Sequence, residues 1–391
     1  MSDGGFAFEL SEEQEMLRRA LRDFVEARLP KDYCREVEAR EAFPRDLWDR
    51  LTEADLHGIG IPEEYGGQGG GIIEQMIVAQ ELARHLAGLV WIWGTTSFAG
   101  SKAITHFGTD EQKQRFLPDI AAGRKLFAIS LTEPDGGTDV LGAMRTTAVK
   151  IDGGWKVNGA KIWSTMSHEA DMLLLTARTE PNPEKPSRGI TVFLCDAKAA
   201  GVTATPIPKL GMRSLGSCEV SFEDVFIPDE NVLGEVGGGW RLLAETLNSE
   251  RILVAAQCVG ALEGIIEEMV TYATQRTAFG KPLGQFQAVQ HMIADAHMGM
   301  QTSQLLTWKA AWLQSLGRPC GVEATTAKIF SSEAAFKAAD DAFQIYGGYG
   351  YSLEYDVQRY WRDMRLYRIA PINNEMGRNY IGESIGLPRS F

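Results

Sequence analysis

No apolar run in this chain approaches the roughly 18 residues that a bilayer-crossing helix needs, so no membrane span is expected. Positive charge is in short supply: Lys and Arg number 39 against 52 Asp and Glu, a formal charge of −13. That balance argues against nucleic acid and anionic membrane surfaces as main partners, while leaving room for an anionic ligand held by a few arginines. The five cysteines (Cys34, Cys195, Cys218, Cys258, Cys320) are widely scattered, which excludes a Cys-based zinc site. Met1-Ser2-Asp3-Gly4-Gly5 lacks a basic segment followed by an apolar one, so no signal peptide is expected. Together these features predict a reducing, cytoplasmic setting. The six histidines lack ligand spacing, and His291 and His297 read as ordinary helix residues. Internal repeats and low-complexity tracts are missing too.

What is present falls into three blocks. The 391 residues suffice for two or three domains, and 44% hydrophobic with 23% charged residues is an ordinary globular composition. Residues 1–125 read as helical. Ser11 with Gln14 forms a capping box at the first helix, whose apolar side carries Leu17, Leu21, Phe24 and Val25. Further helices are predicted over 44–54, with Leu47, Trp48 and Leu51 inward, and over 72–86. Ile61-Pro62-Glu63-Glu64-Tyr65-Gly66-Gly67 is a loop by its Pro and Gly content. Trp91 and Trp93 read as core.

Residues 126–235 read as a small β domain. Trp155–Val157, Met172–Leu175, Ile190–Leu194 and Val220–Phe222 are strand-like, and Asp152-Gly153-Gly154 signals a hairpin turn. Thr179–Arg188, with three prolines, is a surface loop. Residues 236–391 are helical again, in pieces near 240–275, 284–316, 321–347 and 353–369, which suggests an antiparallel four-helix bundle.

Five stretches carry candidate chemistry. On the predicted helix from 240, Leu243, Leu247, Val254 and Ala261 share one face at the helical period, and Glu250 falls inside that stripe. A carboxylate there is either paired with a neighbouring Arg or left desolvated, with its pKa raised toward values useful for proton abstraction. Leu131-Thr132-Glu133-Pro134-Asp135-Gly136-Gly137-Thr138-Asp139 is a capped turn, or a set of hydroxyls and amides offered to a polar ring or phosphate. In Lys161-Ile162-Trp163-Ser164-Thr165, the Trp either fills the β core or stacks on a flat cofactor. Arg276-Thr277-Ala278-Phe279-Gly280, followed by Phe286-Gln287 at a helix start, holds a surface Arg or a phosphate-binding one. Gln344-Ile345-Tyr346-Gly347-Gly348-Tyr349-Gly350-Tyr351 is a helix–helix turn or a close backbone approach to a ligand.

Taken together, these stretches resemble the acyl-CoA dehydrogenase family of flavoproteins, over essentially the whole chain and in matching order. Gln344–Asp363 is similar to the family's C-terminal signature, and Thr132–Asp139 to its other signature, with Ser130 standing where Gly, Ala or Cys is usual. The resemblance implies an α+β fold with an N-terminal helical domain, a middle β-barrel-like domain and a C-terminal four-helix bundle. It also implies non-covalent FAD lying between the β domain and the bundle. Thr132 and Thr138 match positions touching the flavin or its ligand, and Trp163 and Thr165 match the pair packing on the ring from the other side. Arg276, Phe279 and Gln287 match residues holding the diphosphate and adenine half from a neighbouring subunit. Gln344, Gly347 and Gly348 match further contacts to that half. A homo-oligomer, usually a tetramer, is implied, with an electron-transferring flavoprotein as acceptor.

The family's chemistry removes the proton next to a thioester while hydride passes from the β-carbon to flavin N5. Many members carry the base just after the C-terminal signature. Here that place reads Ile369-Ala370-Pro371-Ile372-Asn373-Asn374-Glu375. Pro371 cannot act as a base, and Asn373 and Glu375 fall at cofactor-side positions. Isovaleryl-CoA dehydrogenase and its relatives carry the base on the bundle helix before an Arg, and Glu250-Arg251 resembles that arrangement. Thr138, Arg213, Asn248, Arg251 and Ala370 fall on the substrate side. Asn248 departs from the usual Asp, and Met166 and Ser167 from the usual residues after the Trp/Thr pair. Ala370, in place of a bulky aromatic, makes room for a short or branched acyl chain. Two other activities remain compatible with these residues: an enoyl-CoA reductase, and a flavin oxidase or monooxygenase on the same fold.

Overall fold

The computed structural model describes residues 10–180 and 185–389. Met1–Gly5 and part of the loop expected at 179–188 lie outside the described residues. The rest packs as two compact units: one takes the chain to Glu38, Gly71–Val90 and the chain from Asn248, and the other takes Ala39–Gly70 and Trp91–Leu247.

The second unit carries an eight-stranded sheet. Its strands are β1 (Phe127–Ser130), β2 (Thr147–Ile151), β3 (Gly154–Thr165), β4 (Met172–Arg178), β5 (Ile190–Asp196), β6 (Val202–Ile207), β7 (Ser217–Pro228) and β8 (Val232–Leu233). They run in the order β6-β7-β3-β2-β4-β5-β8, with β1 pairing parallel to β4. Ile151 pairs with Gly154 across the expected turn, where Gly153 takes φ +69°. The apolar runs of β4 and β5 are buried almost throughout, so they do not alternate as half-exposed strands do. Leu174, Val192 and Leu194 pack with Phe116, Leu117, Ile120 and Phe127 in this unit's core. Helix Arg45–Glu53 buries Leu47, Trp48 and Leu51, as its sequence predicts. Trp93 is core, its indole N–H donating to Leu56 O at 2.9 Å.

The first unit is helical. Helix Glu12–Arg28 opens on the Ser11/Gln14 capping box, and helix Ile72–Leu86 has the expected bounds. A further helix, Lys31–Ala39, was not predicted. The longest helix, Gly239–Gln275, crosses Ile72–Leu86 closely at Gly260 and Gly264. A Cβ at those positions would come within 1.9 Å of Gln80 O and 2.3 Å of Arg84 O, so only glycine fits. Helices Gln287–Ser315 and Gly321–Tyr346 pack against each other.

The fourth expected helix, 353–369, is shorter than its sequence suggested. Gly347–Tyr351 forms a 3₁₀ turn, Val357–Leu366 is the helix, and a separate helix follows at Asn374–Ser384. Pro371 has no N–H to extend the earlier helix, and the Asn373 side chain accepts from Met376 N to start the next. All five cysteines are buried and none forms a disulfide. Among the described residues no helix is long and apolar enough to cross a membrane.

Candidate active site

The strand-bearing unit brings two of the sequence motifs together. β3 bulges between Lys161 and Ser164, leaving Ile162 and Trp163 outside the β3–β7 ladder. Ile162 N instead donates to Thr132 O at 2.8 Å. Ser130 and Ser164 hydroxyls meet at 3.2 Å. Strand alternation would put Trp163 on the same face as Lys161, which is buried. The bulge re-aims it, and Trp163 stands 57% exposed with φ +60°. That removes the core reading of this Trp. A left-handed backbone on an aromatic residue costs free energy and is characteristic of functional sites. Thr165 lies half-buried within 3.4 Å of the Ser217 hydroxyl, while Thr138 is exposed. Arg213 forms an ion pair with Glu41 in the same unit.

In the helical unit, Glu250 is half-buried on helix Gly239–Gln275, between buried Leu243 and Val254. Among the described residues its carboxylate forms no direct ion pair, and Arg251 and Lys328 act on it at longer range. Arg251 turns to Asn248, donating from Nη1 to Oδ1 at 3.1 Å, and lies 5.9 Å from the centre of the Tyr380 ring. Burial pushes the Glu250 carboxyl up to about 7, against the nearby positive charges of Arg251 and Lys328.

Lys328 is a residue the sequence reading missed. It is fully buried and donates to Ile372 O at 2.6 Å and Asn374 Oδ1 at 2.8 Å. It thereby fastens the segment that follows Ala370 and Pro371 to helix Gly321–Tyr346. Its signal was present: Ala324, Ala327, Ser331 and Ala335 form a buried small-residue stripe around it. Glu133 and Lys161 were likewise passed over, although both lie inside the quoted motifs.

A third group lines an open cleft of ≈ 450 Å³: Arg276, Gly347 and Gly348 with Tyr272, Tyr346 and Tyr349. A Cβ on Gly347 or Gly348 would meet nothing within 4 Å, so their backbone faces open space. Arg276 lies 5.8 Å from the Tyr349 ring centre. The turn between the helices is thus also a cleft wall. Phe279 sits outside this group at the tip of a short hairpin, 97% exposed, and Gln287, Gln344 and Glu375 are exposed as well.

Comparison with known proteins covers all three blocks. The descriptions acyl-CoA dehydrogenase N-terminal, middle and C-terminal domain match residues 11–124, 128–225 and 237–386. The chain therefore belongs to the acyl-CoA dehydrogenase family. An acyl-CoA dehydrogenase of Bacillus subtilis is 36% identical over 96% of this chain and 98% of its own. The caffeyl-CoA reductase-Etf complex subunit CarC of Acetobacterium woodii is 36% identical over 92% of this chain and 94% of its own. The structure of butyryl-CoA dehydrogenase from Megasphaera elsdenii is similar with TM-score 0.92 and 34% identity, over 97% of this chain and 99% of that one.

The protein is an oxidoreductase acting on acyl-CoA, and its cofactor is FAD. The residues present fit that group. The cleft combines a guanidinium with open glycine backbone, which suits a diphosphate, and Trp163 presents a solvent-facing ring suited to a flat heterocycle.

Proposed function

We propose that this enzyme dehydrogenates a short or branched acyl-CoA between its α and β carbons, with Glu250 abstracting the α-proton as in isovaleryl-CoA dehydrogenase. The observation that carries this is the Glu250 carboxyl, lifted by burial to about 7 and without a direct ion pair, while Pro371 stands at the other place a base could occupy. A base poised near the working pH combines adequate ionisation with adequate proton affinity. Bound FAD supplies the hydride acceptor.

Thr132, Thr138, Trp163 and Thr165 would hold the ring end of FAD. Arg276, Gly347, Gly348, Phe279, Gln287, Gln344, Asn373 and Glu375 would hold its diphosphate and adenine half. Arg213, Asn248, Arg251 and Ala370 would face the acyl-CoA. An exposed Phe279 at a hairpin tip supports a role across a subunit boundary, and hence a homo-oligomer, for which a tetramer is the family's usual form. The blocks 1–125, 126–235 and 236–391 are its domains in this reading, an electron-transferring flavoprotein its acceptor, and a reducing, cytoplasmic compartment its setting.

Anaerobic titration of the purified protein with saturated acyl-CoAs, read by flavin absorbance, tests this directly. Bleaching by short or branched substrates is expected. No bleaching by any of them, on protein that retains FAD, would overturn the reading. The relative named as a caffeyl-CoA reductase subunit favours a second activity, reduction of an enoyl-CoA. Reoxidation of chemically reduced flavin by an enoyl-CoA, without bleaching by the saturated partner, would select it.

A further inference from the structure

Glu133 and Lys161 stand next to the flavin-side residues Thr132 and Trp163, yet neither reaches solvent. Lys161 is completely buried and Glu133 nearly so. All three ammonium protons have acceptors: Leu131 O at 3.0 Å, Glu133 Oε1 at 2.8 Å and Thr176 Oγ1 at 3.4 Å. Thr176 Oγ1 in turn donates to Ser130 O. The carboxylate accepts from Thr146 N at 2.9 Å and Arg145 N at 2.5 Å as well. One ion pair thus ties together the end of β1, the start of β2, β3 and β4.

We propose that the Glu133–Lys161 pair is a positioning clamp for FAD, holding the Thr132 segment and the β3 bulge so that Trp163 keeps its left-handed, outward pose. The proposal rests on the reading that Trp163 packs on the flavin. A residue at φ +60° persists only where its surroundings over-determine it. Here the residue two before Trp163 is locked inward by three hydrogen bonds, and Ile162 N is fixed on Thr132 O. Opposing effects are balanced within the pair. Burial pushes Lys161 down to about 8, and burial works against the ionised Glu133, but the lysine's charge and the two amides more than offset that and hold the carboxyl below its ordinary value. Both groups are therefore charged at neutral pH, as a clamp requires.

The test compares Lys161→Met, Trp163→Ala and the double variant, each purified with FAD. Flavin dissociation constants are read by retained fluorescence, with the visible circular dichroism of the bound flavin as a pose-sensitive signal and far-ultraviolet dichroism as the folding control. The expected result is a 10–100-fold weaker FAD affinity for each single variant, altered visible dichroism for Lys161→Met, and little further loss in the double variant. Multiplying losses, or unchanged affinity and dichroism in folded Lys161→Met, would overturn the clamp. If Trp163→Ala alone binds FAD as the parent does, the reading of Trp163 fails instead, and the clamp falls with it. Should Lys161→Met not fold, Thr176→Val removes one of the lysine's acceptors more gently, and the same coupling with Trp163→Ala decides.

Discussion

Among the described residues two lysines lie wholly out of solvent, and their charges are met in different ways. Lys161, among the strands, faces a carboxylate directly. Lys328, among the helices, donates to a carbonyl and an amide oxygen, and feels the charges of Glu250 and Glu375 only at longer range. Burial pushes both ammonium groups down to about 8. The consequence for their neighbours is opposite. A locally closed pair spends its field on its own partner and gives rigidity. A lysine without a direct counter-ion lets its field reach the carboxylate on the next helix, where it offsets part of the burial that raises Glu250. One region is built to hold still and the other to keep a proton affinity near neutrality.

The largest effect should come from the group this second region serves. Glu250→Gln should lower the rate of flavin reduction by acyl-CoA about 10²–10⁴-fold with FAD retained, the range of general-base contributions. Stopped-flow absorbance measures it, and a near-parental rate would leave Lys328 with no base to tune. Next, the two lysines should differ in stability cost. Lys161→Met strands a buried carboxylate and should lose about 3–5 kcal/mol of unfolding free energy in urea. Lys328→Met leaves only neutral acceptors and should lose less, about 1–3 kcal/mol. Equal losses would erase the distinction.

The smallest effect is the most discriminating. Flavin reduction should rise with pH as Glu250 ionises, with a midpoint near 7. Removing a positive neighbour disfavours the carboxylate, so Lys328→Met should shift that midpoint upward by about one unit, whereas Lys161→Met should leave it in place. A pH profile of single-turnover flavin reduction reads both.

The sequence was most legible where structure is decided locally. The Ser11/Gln14 cap, the Asp152-Gly153 turn and the helix Ile72–Leu86 follow from neighbours within a few residues. It was less legible where distant segments meet. The parallel pairing of β1 with β4 joins residues some 45 apart, as Phe127 with Met172, and no local pattern announces it. Glu133 and Lys161 are 28 apart, and each looked like an ordinary charge within its own motif. Trp163 was ambiguous because the bulge that turns it outward breaks the alternation a sequence pattern relies on. The helix ending at Leu366 was overestimated because the Gly-rich stretch before it forms a 3₁₀ turn and Pro371 after it lacks the N–H that a continuing helix needs. For Glu250 the same logic that found it, a charge inside an apolar helical stripe, would have found Lys328.

The cysteines open an experimental route. All five are buried, and burial pushes the Cys195 and Cys258 thiols up to about 12, so thiolate is scarce where reagents attack. The folded chain is therefore a quiet background for maleimide chemistry. One cysteine introduced at an exposed position outside the proposed cofactor and subunit contacts, as Met16→Cys on helix Glu12–Arg28, would carry a fluorophore or spin label at a defined point. Distances between such labels would then count and arrange the subunits in solution without removing any native residue from the core.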